Sequence, residues 1–223
     1  MSDDSLFREV DEEVRRDQLT SIWKRFGNVI VGVCLLVVVG VGGYKGWQYW
    51  QAKQAEEAGM KWFEAMRLVD EGKTAEADAA MASIAKAGSK GYAVLAELAR
   101  AASLGRQGKP AEAVAIYDGI AADAGADAAL RELARVRAAY LLIDSATVDD
   151  LVKRLDGLSA GESAWRHASR EILALAHFRA ADYKKAADFA AQILADPATP
   201  AGLRARTQLV SAHLEPLLTP AAN

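Results

Sequence analysis

A single cysteine, Cys34, occurs in the 223 residues, so no intramolecular disulfide, redox pair or thiolate metal site can be built. The three histidines, His167, His177 and His213, lie too far apart for a metal motif, and no acidic partner sits at ligand spacing. Lysine and arginine form no block against a net charge of -3, which argues against a nucleic-acid partner. Period-two apolar runs with turn punctuation are also missing, so strands are not expected. Neither a Gly-x-Ser-x-Gly elbow nor a phosphate-cradling glycine loop is present. Gly72-Lys73 and Gly108-Lys109 lack the upstream glycine of a P-loop and read as turns. Glu56-Glu57 and Asp149-Asp150 are adjacent pairs, and neighbours on a helix point about 100° apart, so they read as solvated faces or helix starts. No catalytic, cofactor-binding or metal-binding residue is predicted, and an enzyme is not expected.

Charge is absent from one long stretch. From Phe26 to Tyr44 the chain runs FGNVIVGVCLLVVVGVGGY, and as a helix this reaches about 28 Å, close to the hydrocarbon thickness of a bilayer. Trp23 and Phe26 precede it, and Tyr44, Trp47, Tyr49 and Trp50 follow, matching the aromatic belts of the two interfaces. These six are the predicted membrane-interface anchors. Lys45 can snorkel to headgroup level. The leading segment is too long, and the exit too aromatic, for a cleaved signal peptide; Cys34, preceded by Val33 inside the run, does not read as a lipoprotein site. An uncleaved membrane anchor is expected. Arg15, Arg16, Lys24 and Arg25 on the amino side outweigh Lys45, Lys53 and Lys61 beyond it, which favours a cytoplasmic amino terminus. Gly42 and Gly46 form a small-xxx-small pair, near Gly32 and Gly40, that reads first as ordinary membrane-helix glycine and second as a helix-docking face. In the leading tail, Leu6, Val10 and Val14 recur every four residues, consistent with a short amphipathic helix or a solvated tail.

Beyond the anchor the chain is alanine-rich and helix-patterned, and it repeats. Gly72-Lys73-Thr74-Ala75-Glu76-Ala77-Asp78-Ala79 with Ile84 overlays Gly108-Lys109-Pro110-Ala111-Glu112-Ala113-Val114-Ala115 with Ile120, at an offset of 36 residues. Each glycine ends a helix in the left-handed conformation, and Pro110 suits a first helical turn. Small Ala77 and Ala113 let paired helices approach, with Met81 and Tyr117 one turn later as core wedges. A further copy runs from Ala181 through Ala186 to Phe189, Ile193 and Pro197, preceded by Leu173, Ala174 and His177. A degenerate copy lies between, with helices near Leu130–Ile143 and Val148–Leu158; a terminal helix follows from Ala201 to Leu214. Gly72, Ala77, Gly108, Ala113, Tyr117 and Ala186 are the predicted repeat-packing residues. The arginines Arg131, Arg135, Arg137, Arg166, Arg170, Arg204 and Arg206 read as a solvated face or a partner-binding strip. His177 falls at a packing position, and Ser163 with Glu162 reads as the first turn of the helix carrying His167.

Over Glu56 to Pro197 this pattern resembles the tetratricopeptide repeat family, with Leu68, Leu104 and His177 standing where that family usually has an aromatic. The fold expected is all-α: a single N-terminal transmembrane helix followed by a tetratricopeptide-like helical-hairpin repeat solenoid. The domains expected are 1–26, a charged cytoplasmic tail; 27–47, the transmembrane helix; and 48–223, the repeat domain. A tail closing in Trp23-Lys24-Arg25-Phe26-Gly27, an exit through Trp47-Gln48-Tyr49-Trp50 and an alanine-rich repeat domain together resemble the ancillary SecYEG translocon subunit family, the YfgM-like proteins. The resemblance implies a bacterial inner-membrane protein with a periplasmic repeat domain. Its implied partners are the SecYEG translocon and a membrane-anchored periplasmic chaperone that assists exported proteins. A repeat scaffold for another envelope process (assembly, division or cytochrome maturation) is the alternative of the same architecture, and an envelope enzyme or its regulatory subunit is a third.

Overall fold

Alanine, leucine and charged residues favour helix, and no proline precedes Pro110 to interrupt one. The computed structural model describes residues 3–87, 90–161 and 163–218; before Gly27 (Lys24 apart), at Ile30 and at Lys90 it describes the backbone alone. Among the described residues every regular element is a helix: α1 (Asp3–Asp70), α2 (Thr74–Ala87), α3 (Lys90–Arg106), α4 (Pro110–Ala122), α5 (Ala128–Leu142), α6 (Val148–Arg154), α7 (Arg166–Arg179), α8 (Tyr183–Ala195) and α9 (Ala201–Leu218). Tail, apolar run and first repeat helix all lie on α1. The glycines between 40 and 46 do not break it, since each weakens a helix by only about 1 kcal/mol.

The chain divides into two compact units, Met1–Gln54 and Ala55–Asn223. In the first, one segment is long and apolar enough to cross a membrane, and almost none of it is buried. Leu36 is 74% and Val38 69% exposed.

The second unit holds the end of α1 with α2, then the pairs α3–α4, α5–α6 and α7–α8, closed by α9. Its core is a string of clusters. Ala65, Met81, Ile84 and Ala96 join α1, α2 and α3; Leu104, Ala113, Tyr117 and Ala134 join α3, α4 and α5; Val136, Leu151, Leu155 and Ile172 join α5, α6 and α7. Such nearest-neighbour burial is what stacked helix pairs produce, because no pair covers its own apolar face. Among the described residues α3 touches α5, α5 touches α7 and α7 touches α9, whereas the even-numbered helices do not meet one another. The odd-numbered helices therefore form the closer-spaced layer, toward which the stack curves.

Three of the four hairpin turns share one mechanism. At the end of α1, Lys73 N–H donates to the Leu68 carbonyl (2.9 Å) and Gly72 N–H to that of Val69 (3.0 Å), with Gly72 at φ 73°. At the end of α3, Lys109 N–H donates to Leu104 (3.0 Å) and Gly108 N–H to Gly105 (3.2 Å), with Gly108 at φ 76°. These paired bonds satisfy carbonyls that a helix end leaves open. The end of α7 repeats them, Asp182 to His177 (2.9 Å) and Ala181 to Phe178 (3.0 Å), but the left-handed residue is Ala181, at φ 57°. A Cβ there costs about 1–2 kcal/mol. Ala181→Gly is therefore expected to stabilise the unit by about 1 kcal/mol, raising the melting temperature by about 2–4 °C. Thermal unfolding followed by circular dichroism checks it, with Gly108→Ala as the opposite-signed control.

Two boundaries differ from the sequence reading. The helix expected to run from Val148 to Leu158 ends at Arg154, because Gly157 takes φ 75° and turns the chain. Leu155 and Leu158 still reach the core, at 0% and 3% exposure, as turn residues. Helix α7 begins at Arg166 rather than near Ser163, whose Oγ instead accepts from Trp165 N–H (3.2 Å) ahead of the helix; Glu162 lies outside the described residues.

Candidate functional site

The arginines of the odd-numbered helices are mostly neither a solvated face nor a free strip. Arg135 on α5 donates from Nε to the Arg154 carbonyl (2.8 Å) and from Nη2 to that of Asp156 (2.8 Å). Arg204 on α9 treats the end of α8 alike, reaching the carbonyls of Leu194 (2.7 Å) and Asp196 (2.8 Å). Arg170 donates to Ser159 (2.9 Å), and Arg179 to Ala146. Helix C-termini expose unpaired carbonyls, and a guanidinium carries enough donors to close two at once. The odd layer thus staples the ends of neighbouring helices and turns.

A buried polar group crosses three odd helices. Glu171 on α7 is only 7% exposed; its Oε2 accepts from the Tyr140 hydroxyl on α5 (2.6 Å), and Arg206 on α9 donates to Oε1 (2.8 Å) and Oε2 (3.1 Å). Burial, then the Glu171 carboxylate, pushes the Tyr140 hydroxyl well above the ordinary tyrosine range. Glu171 raises the pKa of Arg206 in turn, keeping it charged. The sequence offers one faint signal for this group, a lone carboxylate in the apolar stretch Glu171 to Ala176.

Asp196, in the turn between α8 and α9, is a second hub. It accepts from Arg166 Nε (2.7 Å), His167 Nε2 (2.9 Å) and Ala198 N–H (2.9 Å). Arg166 foremost, then the Ala198 N–H, holds its carboxyl well below the usual range, against the opposing effect of desolvation. A depressed carboxyl stabilises the fold fully above its unfolded value, about pH 4, and loses that contribution as pH falls toward the folded value. Asp196→Asn is therefore expected to melt below the parent at neutral pH, the gap closing under acid below about pH 4. Melting temperatures across that range test it; a gap independent of pH would overturn the assignment.

The histidines are structural in position. His177 is 5% exposed, stacked on Phe189 at 5.7 Å, with Nδ1 3.1 Å from Asp182 Oδ2. His213 Nδ1–H donates to the Leu209 carbonyl (2.9 Å). Among the described residues no three His, Cys, Asp or Glu side chains converge as metal ligands would. Of the residues named for repeat packing, Ala77, Ala113, Tyr117 and Ala186 are all buried, while Gly72 and Gly108 sit at the positive-φ turns. Of those named for the membrane interface, Tyr44, Trp47, Tyr49 and Trp50 are each more than half exposed; the side chains of Trp23 and Phe26 lie outside the described residues.

Helix pairs in nearest-neighbour stacks, three of the four turned by the same pair of bonds, are a repeat architecture. Residues 21–173 match the family model of the tetratricopeptide repeat-like domain. The chain belongs to that family. The match begins ahead of the apolar run and ends within α7, so α8 and α9 extend the tetratricopeptide-like stack beyond it. No curated protein and no solved structure matches the chain. Tetratricopeptide-like domains are in general non-catalytic scaffolds, and membership implies partners that are themselves proteins.

Proposed function

We propose that this chain is a single-pass membrane protein whose repeat domain binds other proteins at the membrane surface, as an ancillary subunit of the SecYEG translocon. In this reading residues 27–47 cross the bacterial inner membrane, residues 1–26 are cytoplasmic and 48–223 are periplasmic. The repeat domain links the translocon to a membrane-anchored periplasmic chaperone assisting exported proteins.

The observation that carries the reading is the exposed apolar helix ahead of a tetratricopeptide-like domain. Val29, Val33, Leu35, Leu36 and Val38 are each more than half exposed, an apolar surface that water disfavours and a bilayer covers. The aromatic residues from Tyr44 to Trp50 fit the outer interface, and the amino-side cations fit a cytoplasmic start. Anchoring confines the repeat domain to a thin layer, raising its effective concentration toward other membrane-bound partners. The translocon and chaperone come from the resemblance of tail, anchor and exit segment.

Photocrosslinking in native membranes, with probes at Val38 in the apolar run and along α3 and α5, tests it. Translocon subunits and a periplasmic chaperone are the expected captures. Recovery of other envelope machinery instead would keep the anchored scaffold and overturn the assigned partners.

A further inference from the structure

The last helix of a repeat stack ordinarily turns a polar face outward, because no further helix covers it. Helix α9 does not. It buries Leu203, Thr207 and Leu214 against the stack, and among the described residues its backbone packs on α7 and α8 alone. On the opposite side Gly202, Ala205, Leu209, Ala212 and Pro216 recur three and four residues apart, all exposed, with Leu209 at 66%. Positions at that spacing share one face of a helix, so the stack ends in an uncharged apolar strip centred on Leu209. A single exposed leucine is ordinary, but a strip of about four turns without a charge marks a contact surface.

Shape and charge both match this strip to a second copy of itself. Small Ala205 and Ala212 stand seven residues apart, on either side of Leu209. Laid antiparallel with Ala205 opposite Ala212, two strips seat Leu209 of each copy between Ala205 and Ala212 of the other, and the alanines let the axes approach to about 8 Å. Along one flank Arg204 stands near the start of α9 and Glu215 near its end. Arg204 donates to neutral carbonyls, those of Leu194 and Asp196, and so keeps its charge. Antiparallel pairing sets each Glu215 beside Arg204 and the first helical turn of the other copy, where the opposite charge and the helix dipole both favour it. Parallel pairing would instead gather both Arg204 side chains at one end and both Glu215 at the other.

We infer that α9 is a homotypic contact, through which two membrane-anchored copies of this chain pair antiparallel across the strip 202–216. This goes beyond the proposed translocon role and rests only on its membrane anchor. The strip is about 22 Å long and about 10 Å wide, roughly 200 Å² per copy, against about 800 Å² per partner in a stable soluble complex. The pairing therefore draws on the effective concentration that a shared membrane supplies.

The test uses the full chain in native membranes, in a Cys34→Ser background that removes the one native thiol. Ala205→Cys and Ala212→Cys chains bearing different tags are co-expressed and oxidised with copper phenanthroline. A mixed disulfide dimer is expected. Adding Leu209→Glu to both chains is expected to reduce it at least about tenfold, because two carboxylates would then meet inside an apolar contact. Leu209 is exposed, so the circular dichroism melt of the solubilised Leu209→Glu chain should match the parent. Val152→Cys, exposed on α6, is expected to link no chains. Absence of the mixed dimer, like-with-like Ala205→Cys links in its place, or a dimer unchanged by Leu209→Glu would overturn the inference. Alkaline carbonate separates it from the anchor: release of the parent removes the anchor and this inference together, whereas a pelleted parent without the mixed dimer removes this inference alone. Translocon capture is independent of both.

Discussion

Replacing Ile172 with alanine lowers the stability of the repeat unit by about 2–5 kcal/mol. Ile172 is 0% exposed and packs where α5, α6 and α7 meet, against Val136, Leu151, Leu155 and Leu173. Removing most of its side chain forfeits burial and leaves a cavity that the short helix α6 is poorly able to close. In a stack of nearest neighbours the loss should stay local. Among the described residues the backbones of α8 and α9 pack on α7 and on each other, and only side chains such as Phe189 and Arg206 reach beyond α7. Hydrogen exchange is therefore expected to lose protection across α7, α8 and α9, while α2, α3 and α4, built on separate clusters, keep theirs. A uniform fall in protection would show that the unit opens as one cooperative body instead.

Placing arginines at Leu36 and Val38 should release the protein from membranes. Each costs about 2.5–3.5 kcal/mol at the centre of a span, and the two together exceed what one short apolar helix can absorb. Because Leu36 and Val38 are 74% and 69% exposed, the changes disturb no internal packing, which separates loss of anchoring from loss of fold. The parent is expected in the pellet after alkaline carbonate extraction and the Leu36→Arg, Val38→Arg protein in the supernatant, with an unchanged circular dichroism melt. Retention of the double variant in the pellet would mean that something other than the apolar run holds the protein there.

The repeat was legible where its chemistry is local. Gly72-Lys73 and Gly108-Lys109 mark their turns because a left-handed residue must follow the helix and glycine takes it without strain. Ala77, Ala113 and Ala186 stand out as small residues at a fixed distance from those turns. The third turn was legible only through its flanks, since Ala181 adopts the glycine conformation while carrying a Cβ. The α5–α6 pair was the least legible. Its helix stops at Arg154, yet Leu155 and Leu158 keep the apolar pattern of a longer one, because the turn buries them in the same cluster.

The arginines show where local reading ends. Arg135 and Arg204 look like any solvated helix cation, because their acceptors are backbone carbonyls of other elements and a carbonyl has no letter in the sequence. Glu171 is equally opaque: its partners, Tyr140 and Arg206, lie 31 and 35 residues away. Helix content, hairpin turns and the apolar run follow from interactions within a few residues, so composition and spacing were enough to determine them. Which cations are spent on helix ends was decided only when the stacked helices brought distant groups within hydrogen-bonding reach.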